Sequence, residues 1–170
     1  AASVPSQWAA QEVEDLLYLL ARDYVWAEVA AKIQQNCVAA LQLASQSLSL
    51  PAIEPASRSE LAKILGHCSA EPQAEPLLLR FANDEAEYVR RMALQSLARL
   101  GSSSAEAVAL REWHREDENQ PWARMMALAC WHHIESPLLE AHLTEAEASS
   151  LPYLPDFAHE LRSGKAELFF

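Results

Sequence analysis

A ten-residue stretch occurs twice in this chain, reading YVRRMALQSL at residues 88–97 and WARMMALACW at residues 122–131. The two copies are 34 residues apart, and Arg, Met, Ala and Leu recur at the same places in both. An acidic residue precedes each copy at the same offset, Asp84 before the first and Glu118 before the second. This period, with apolar residues at three-to-four spacing, indicates a repeat in which each unit is one helical hairpin.

Boundary signals around the two copies predict further helices. Capping boxes, in which Ser or Asp is followed three residues later by Glu, predict helix starts at residues 57, 84 and 103. Gly66 and Gly101 are predicted to end helices as C′ residues, and prolines at 121 and 137 fit first-turn positions. Amphipathic patterns predict other helices over residues 6–22, 26–44, 77–83 and 157–162. The expected organisation is a single domain over residues 1–170, with an N-terminal capping hairpin at about 6–50, repeats at about 57–136 and a C-terminal cap at about 137–170.

The segment that runs from Asp84 through Arg90 to Gly101 resembles the second helix of a HEAT-like repeat, and the resemblance extends over roughly residues 74–136. It implies an all-α fold, a short right-handed α-solenoid of stacked antiparallel helical hairpins. In that family an acidic residue at the turn and an Arg six residues later form a ladder between neighbouring repeats. The resemblance implies such a structural ladder for Asp84, Arg90, Glu118 and Arg124. The second copy departs from the pattern because it has Trp131 followed by two histidines and lacks the terminal glycine.

Composition and charge narrow the class of partner. The chain is 51% hydrophobic with 3 glycines, which is typical of packed helices, and its formal net charge is −11. Residues 101–170 carry 5 basic and 12 acidic side chains. An acidic chain disfavours nucleic acid as a partner, since phosphate binding needs clustered Lys and Arg. No apolar run is long enough for a membrane span, so we expect no membrane contact and a protein partner.

The three cysteines, Cys37, Cys68 and Cys130, are widely spaced and match no zinc-binding pattern. One of them must stay unpaired in any disulfide scheme, which favours a reducing compartment. We therefore predict three small core residues without thiol chemistry, and a cytoplasmic location.

Candidate chemistry is sparse. The one metal-like cluster, His114, His132 and His133 with Cys130, is disfavoured because adjacent histidines project about 100° apart on a helix. HEAT-like hydroxylases bind iron through repeated His-Glu pairs, whereas this chain has a single such dipeptide at His159. We predict no cofactor, no metal and no catalytic residue. An enzyme resembling the HEAT-like DNA glycosylases or lyases is the alternative; the local basic group that a glycosylase would need comprises Arg80, Arg90, Arg91 and Arg99.

The predicted function is a non-catalytic protein-interaction or scaffolding module. Its candidate binding surface is a pair of stripes at helical spacing, expected to lie side by side: Tyr88, Arg91, Gln95 and Arg99, and Trp122, Met125, Ala129 and His133. Ordinary core packing is the competing interpretation for Trp122, and Trp113, Trp122 and Trp131 are together expected in the core. The apolar tail of Leu168, Phe169 and Phe170 is predicted either to cap the chain's own C-terminal hairpin or to mediate self-association through a second copy.

Overall fold

The computed structural model of the protein describes residues 35–48, 54–115 and 121–165. Within these ranges the regular structure is entirely helical, as the sequence predicted. The helices are α1 (Cys37–Ser47), α2 (Pro55–Leu65), α3 (Ala74–Phe81), α4 (Glu87–Arg99), α5 (Ala105–Trp113), α6 (Trp122–His133), α7 (Leu139–Glu147) and α8 (Leu154–Arg162). The chain divides into two compact units, Ala1–Ser96 and Leu97–Phe170, and the point of division in the sequence falls within α4. The helix predicted over residues 6–22 lies outside the described residues.

In each unit one helical hairpin packs on the next. In the first unit α1 packs against α2 and also against α3, and in the second unit α6 packs against α5, α7 and α8. Contacts between helices two elements apart, α1 with α3 and α6 with α8, are typical of stacked hairpins. Small and aliphatic side chains fill the core, with Ala93, Leu97 and Leu128 completely buried. The stacking gives each hairpin's apolar face a neighbour; the right-handed turn of the stack stays a prediction.

The second helix of each repeat ends in the same motif. At the end of α4 the amide of Ser102 donates to the carbonyl of Leu97 and that of Gly101 to Ala98, both at 3.0 Å. Gly101 has a φ of 70°, so it is the predicted left-handed C′ residue. At the end of α6 the equivalent bonds run from Ser136 to Trp131 and from Glu135 to His132. Glu135 is also left-handed, with a φ of 55°, and so holds the motif without a glycine.

The capping boxes predicted at residues 57, 84 and 103 do not start the helices. Helix α2 begins at Pro55, because proline is favoured in a first helical turn, and Ser57 is buried inside it. The Asp84 carboxylate accepts from the amide of Ala86 at 2.9 Å, and α4 begins at Glu87, three residues after Asp84. Helix α5 follows Ser104, whose amide donates to Ser102 Oγ at 3.1 Å. The caps are therefore displaced by one to three residues, since turn contacts already satisfy the amides.

Gly66 has a different role from the one predicted. Its φ is −62°, an ordinary helical value, so it is not a left-handed C′ residue. A Cβ at this position would lie 2.6 Å from Ser96 Oγ and 2.8 Å from Ser96 Cβ. Ser96 Oγ donates to the carbonyl of Ala62 at 2.6 Å. Glycine is needed here because α4 approaches the end of α2 closely within the first unit.

The predicted state of the cysteines was wrong for two of the three. Cys37 and Cys68 form a disulfide with a Cα–Cα distance of 5.6 Å, and Cys130 is a buried free thiol. The predicted helix over residues 26–44 had placed Cys37 in its interior, but Asn36 is an N-cap whose side chain accepts from Ala39. Cys37 is thus the first residue of α1, and Cys68 follows the end of α2. Antiparallel packing of a hairpin brings these two ends together.

Candidate interaction surface

The first predicted stripe separates into exposed and buried members. Tyr88 is 42% exposed, and the Arg91 guanidinium lies 4.9 Å from the centre of its ring. Glu87 holds Arg91 through an ion pair of 3.0 Å between Nε and Oε1. Gln95, one turn further, is 8% exposed and belongs to the buried face. The first unit therefore presents an aromatic ring covered on one face by an arginine that a carboxylate positions.

Arg99 and His133, the last members of the two stripes, line the same open depression in the second unit. The depression has a volume of about 420 Å³, and its lining also includes Gly101 and Ser102 at the end of α4 and Ile134 at the end of α6. Burial lowers the pKa of Arg99. The pKa of His133 is also lowered, first by partial burial and then by the positive charges of Arg99 and His132. The positive charge of Arg99, in the last turn of α4, complements the helix dipole, which accounts for its position without a ligand.

The second stripe begins with an aromatic pair. Trp122, in the first turn of α6, is 37% exposed and stacks on Tyr153, with 5.8 Å between ring centres and 19° between planes. Tyr153 is 64% exposed and precedes α8 in a left-handed conformation. Met125 is partly exposed and Ala129 is buried. Sequence reasoning missed Tyr153, since a tyrosine between two prolines has no helical periodicity that could reveal its side of the fold.

The three tryptophans expected in the core have different environments. Trp113 and Trp131 are buried, with 5.8 Å between their ring centres, whereas Trp122 is exposed. The ring of His142 lies 4.4 Å from Trp131 and 5.0 Å from Trp113. The prediction of a core position was wrong for Trp122, because its side chain lies on the solvent side of the first turn of α6, whereas the adjacent Ala123 is buried.

The Asp84 carboxylate forms its ion pair with Arg58, a residue that the resemblance did not include. Arg58 donates from Nε to Oδ2 at 2.7 Å and from Nη2 to Oδ1 at 2.9 Å. Burial alone would raise the pKa of Asp84, but hydrogen bonds from Arg58 and Ala86 and the charges of Arg58 and Arg90 lower it. Arg90 is buried, and its Nη1 donates to the carbonyls of Asp84 and Glu85 at 3.0 and 2.9 Å. Asp84 and Arg90 are thus close to each other, because the Arg90 side chain reaches back to the segment that precedes α4.

Arg124 occupies in α6 the position that Arg90 occupies in α4. Its Nε donates to the carbonyl of Trp113 at 3.2 Å, and its guanidinium lies 5.7 Å from the Trp113 ring centre. Glu118 lies outside the described residues. A ladder of Asp84, Arg90, Glu118 and Arg124 between neighbouring repeats stays a prediction.

The histidines and cysteines considered as metal ligands are dispersed. Among the described residues, no group of three or more His, Cys, Asp or Glu side chains could hold a metal ion. His132 and His133 are exposed, whereas Cys130 is buried, and burial raises the pKa of its thiol. A buried, protonated thiol is unreactive.

Comparison with known proteins identifies the repeats. Residues 50–131 match the family model of HEAT repeats. This match includes both α4 and most of α6, so residues 50–131 contain HEAT-like repeats. No curated protein sequence matches the chain significantly. Within the described ranges, none of the helices is long and apolar enough to cross a membrane.

Proposed function

We propose that the chain is a protein-interaction module that presents aromatic side chains from equivalent positions of its repeats. The observation that carries this proposal is the exposure of Tyr88 and Trp122, which are 34 residues apart and occupy the first turns of α4 and α6. Their apolar neighbours on the same helices are buried, among them Leu94 and Leu128. HEAT repeats generally mediate protein interactions or act as scaffolds, which agrees with such a surface.

The physical reason is the cost of leaving a large aromatic side chain in water. Covering the exposed part of a Tyr or Trp ring on binding releases hydration free energy of about 25 cal/mol per Å² of apolar area. Aromatic side chains also lose few rotamers when they bind, and they are enriched at the energetic centres of interfaces. Repetition of one exposed aromatic at the same repeat position suits an extended partner that contacts successive repeats.

Self-association through Leu168, Phe169 and Phe170 is an alternative assembly, and these residues lie outside the described part of the chain. The cytoplasmic location likewise stays a prediction. The Cys37–Cys68 disulfide weighs against it, because structural disulfides persist mainly in oxidising compartments.

Site-specific photocrosslinking tests the proposed surface. A benzophenone amino acid replaces Tyr88 or Trp122 in the full chain, and the matched controls carry it at Ala107 or Glu145, which are also exposed. We expect the same partner to be crosslinked from positions 88 and 122 and from neither control. Equal crosslinking from all four positions, or none from 88 and 122, contradicts the proposal.

A further inference from the structure

We propose that the Cys37–Cys68 disulfide is a reversible thiol–disulfide exchange site, at which a dithiol attacks the sulfur of Cys37 and Cys68 is the first leaving group. The proposed interaction function does not include this chemistry, and the exchange site does not depend on it. The inference is carried by the unequal surroundings of the two cysteines and by the packing that keeps them close together after the bond is broken.

The two cysteines differ in their accessibility to a reagent. Cys37 is partly exposed, whereas Cys68 is 1% exposed. Exchange begins when a thiolate attacks one sulfur of a disulfide, and access decides which of the two sulfurs is attacked. A dissolved dithiol therefore attacks Cys37, and Cys68 is the sulfur that leaves.

The position of Cys37 in α1 favours a negative charge on its sulfur after reduction. Cys37 is the first residue of α1 and directly follows the N-cap Asn36, so it lies at the positive end of the helix dipole. A thiol at a helix N-terminus loses its proton more readily than a thiol in water. The thiolate is the form that leaves readily from a disulfide and that reacts with a new one.

The surroundings of Cys68 favour the protonated thiol instead. The side chain is buried, and burial disfavours the charged thiolate. Its Sγ lies 3.7 Å from the carbonyl oxygen of Ile64, which is an acceptor for the S–H group that reduction creates. Reduction therefore gives a reactive Cys37 and an unreactive Cys68.

The exchange proceeds in two steps. In the first, a thiolate of the dithiol forms an S–S bond with Cys37, the Cys37–Cys68 bond breaks, and Cys68 takes up a proton. In the second, the other thiol of the dithiol loses its proton and attacks the dithiol sulfur that is bonded to Cys37, so Cys37 leaves as a thiolate. Two electrons pass from the dithiol, which is oxidised to a cyclic disulfide, to the two cysteines.

Core packing in the first unit makes the exchange reversible. Helix α1 packs against both α2 and α3, and Ala40, Leu43 and Ala44 on its buried face are completely covered. These apolar contacts remain when the disulfide is reduced, so the two thiols stay near each other. A small disulfide such as oxidised glutathione then restores the bond by the reverse steps.

Trapping the mixed disulfide on the folded wild-type chain tests the order of attack. The probe is reduced glutathione, a monothiol that forms the first bond but has no second thiol to complete the exchange. A short reaction is stopped with N-ethylmaleimide in urea, and the peptides are analysed by mass spectrometry. We expect glutathione on Cys37 and maleimide on Cys68. Glutathione on Cys68, or equally on both cysteines, would overturn the proposal.

The dependence on urea distinguishes attack on the folded chain from attack after unfolding. Urea below the unfolding transition raises the unfolded fraction, so exchange through unfolding would accelerate steeply with urea. We expect a rate that is nearly constant over this range and proportional to the glutathione concentration. A reaction that begins only where the chain unfolds would reject the exchange site and leave a purely structural disulfide.

Two variants form a matched pair for the reactivity of each thiol. Cys68→Ser retains Cys37, Cys37→Ser retains Cys68, and both retain the buried Cys130 as an internal reference. Iodoacetamide at pH 7 should alkylate Cys37 at least about tenfold faster than Cys68 or Cys130, because only Cys37 is accessible and at a helix N-terminus. Urea should abolish the difference. Equal rates in the folded variants would contradict the assigned roles, and circular dichroism shows that each variant is folded.

Reoxidation of the reduced wild type tests reversibility. After removal of the reductant, oxidised glutathione is added and the disulfides are mapped by mass spectrometry. We expect the Cys37–Cys68 bond to return with Cys130 still a free thiol. Bonds to Cys130, or glutathione that stays on Cys37, would contradict a reversible exchange site.

Discussion

The two HEAT-like repeats match in register but differ in the interactions that stabilise them. In the first, charged groups secure the approach to α4: Asp84 is paired with Arg58, and Arg90 binds backbone carbonyls. In the second, an aromatic cluster takes that place, with Trp131 at the position of Leu97 and Arg124 bound to the carbonyl of Trp113. The common apolar positions conserve the backbone arrangement, so a repeat tolerates either kind of support around the same helix.

The largest expected difference between the units is covalent. The first unit has the Cys37–Cys68 disulfide, which spans 31 positions of the chain, while Cys130 of the second unit is free. Reducing the disulfide should lower the free energy of unfolding by about 2–4 kcal/mol, since the cross-link limits the unfolded chain. Urea unfolding with and without a phosphine reductant measures this. The double variant Cys37→Ser and Cys68→Ser should not respond to the reductant; an unresponsive wild type would contradict the prediction.

The charged support of the first repeat gives the next largest effect. Arg58→Met should cost about 1–3 kcal/mol, because it leaves the partly buried Asp84 carboxylate without its bidentate partner. The pKa of Asp84 is lower in the folded state than its ordinary value of 3.8, so the pair stabilises the fold above that pH. This stability is lost as the pH falls from 3.8 through the lowered folded pKa. Urea unfolding should show a smaller difference in the free energy of unfolding between the variant and the wild type at pH 3 than at pH 6. An equal difference at both pH values would contradict the role assigned to this ion pair.

The helix ends provide a matched pair of substitutions. Gly101→Ala should cost about 1 kcal/mol, since no other group lies within 4 Å of an added Cβ and only the left-handed backbone resists it. Glu135→Gly should instead stabilise the protein by about 0.5–1 kcal/mol, because glycine removes the left-handed penalty at the equivalent position. Thermal unfolding of both variants measures the effects. If both substitutions destabilise the chain equally, the two ends are not equivalent in energy.

The smallest effect is a pH dependence at the end of α6. The pKa of His133 is lower in the folded chain than its ordinary value of 6.5, because of partial burial and the charges of Arg99 and His132. The unfolded chain therefore binds a proton first as the pH falls below 6.5, and stability that is complete above this pH declines. His133→Gln should have a flatter profile of melting temperature between pH 7.5 and pH 5.5. An NMR titration of His133 in Arg99→Met should give a higher pKa than in the wild type.

The repetition in the sequence predicted the helical fold well because it combined apolar residues at helical spacing with residues that mark helix boundaries. The face of α4 predicted from Val89, Ala93 and Leu97 is buried, and Gly101 ends the helix as expected. The predicted helix starts were less accurate. The capping-box pattern, a Ser or Asp followed three residues later by Glu, also occurs in turns whose own hydrogen bonds already satisfy the backbone amides. Gly66 shows a second limit. A glycine is needed there because Ser96, 30 positions further along the chain, packs closely against it, and this contact exists only in the folded structure.

The candidate binding surface stays a prediction, and the exposure of its members followed from the helical spacing only in part. Tyr88 and Trp122 are exposed as the stripes required, and Gln95 is not. Tyr153 could not be placed because its contact with Trp122 depends on how α8 packs on α6. The disulfide was missed for the same kind of reason, since the start of α1 and the residues after the end of α2 meet only when the hairpin is folded.

The covalent link between α1 and α2 also changes what a protease can achieve. A single cut of any peptide bond between Cys37 and Cys68 leaves the two pieces joined through sulfur. Such a nicked chain would keep its full mass in electrophoresis without reductant and would separate into two fragments once reductant is added. The hairpin can therefore lose the continuity of its backbone without releasing either half.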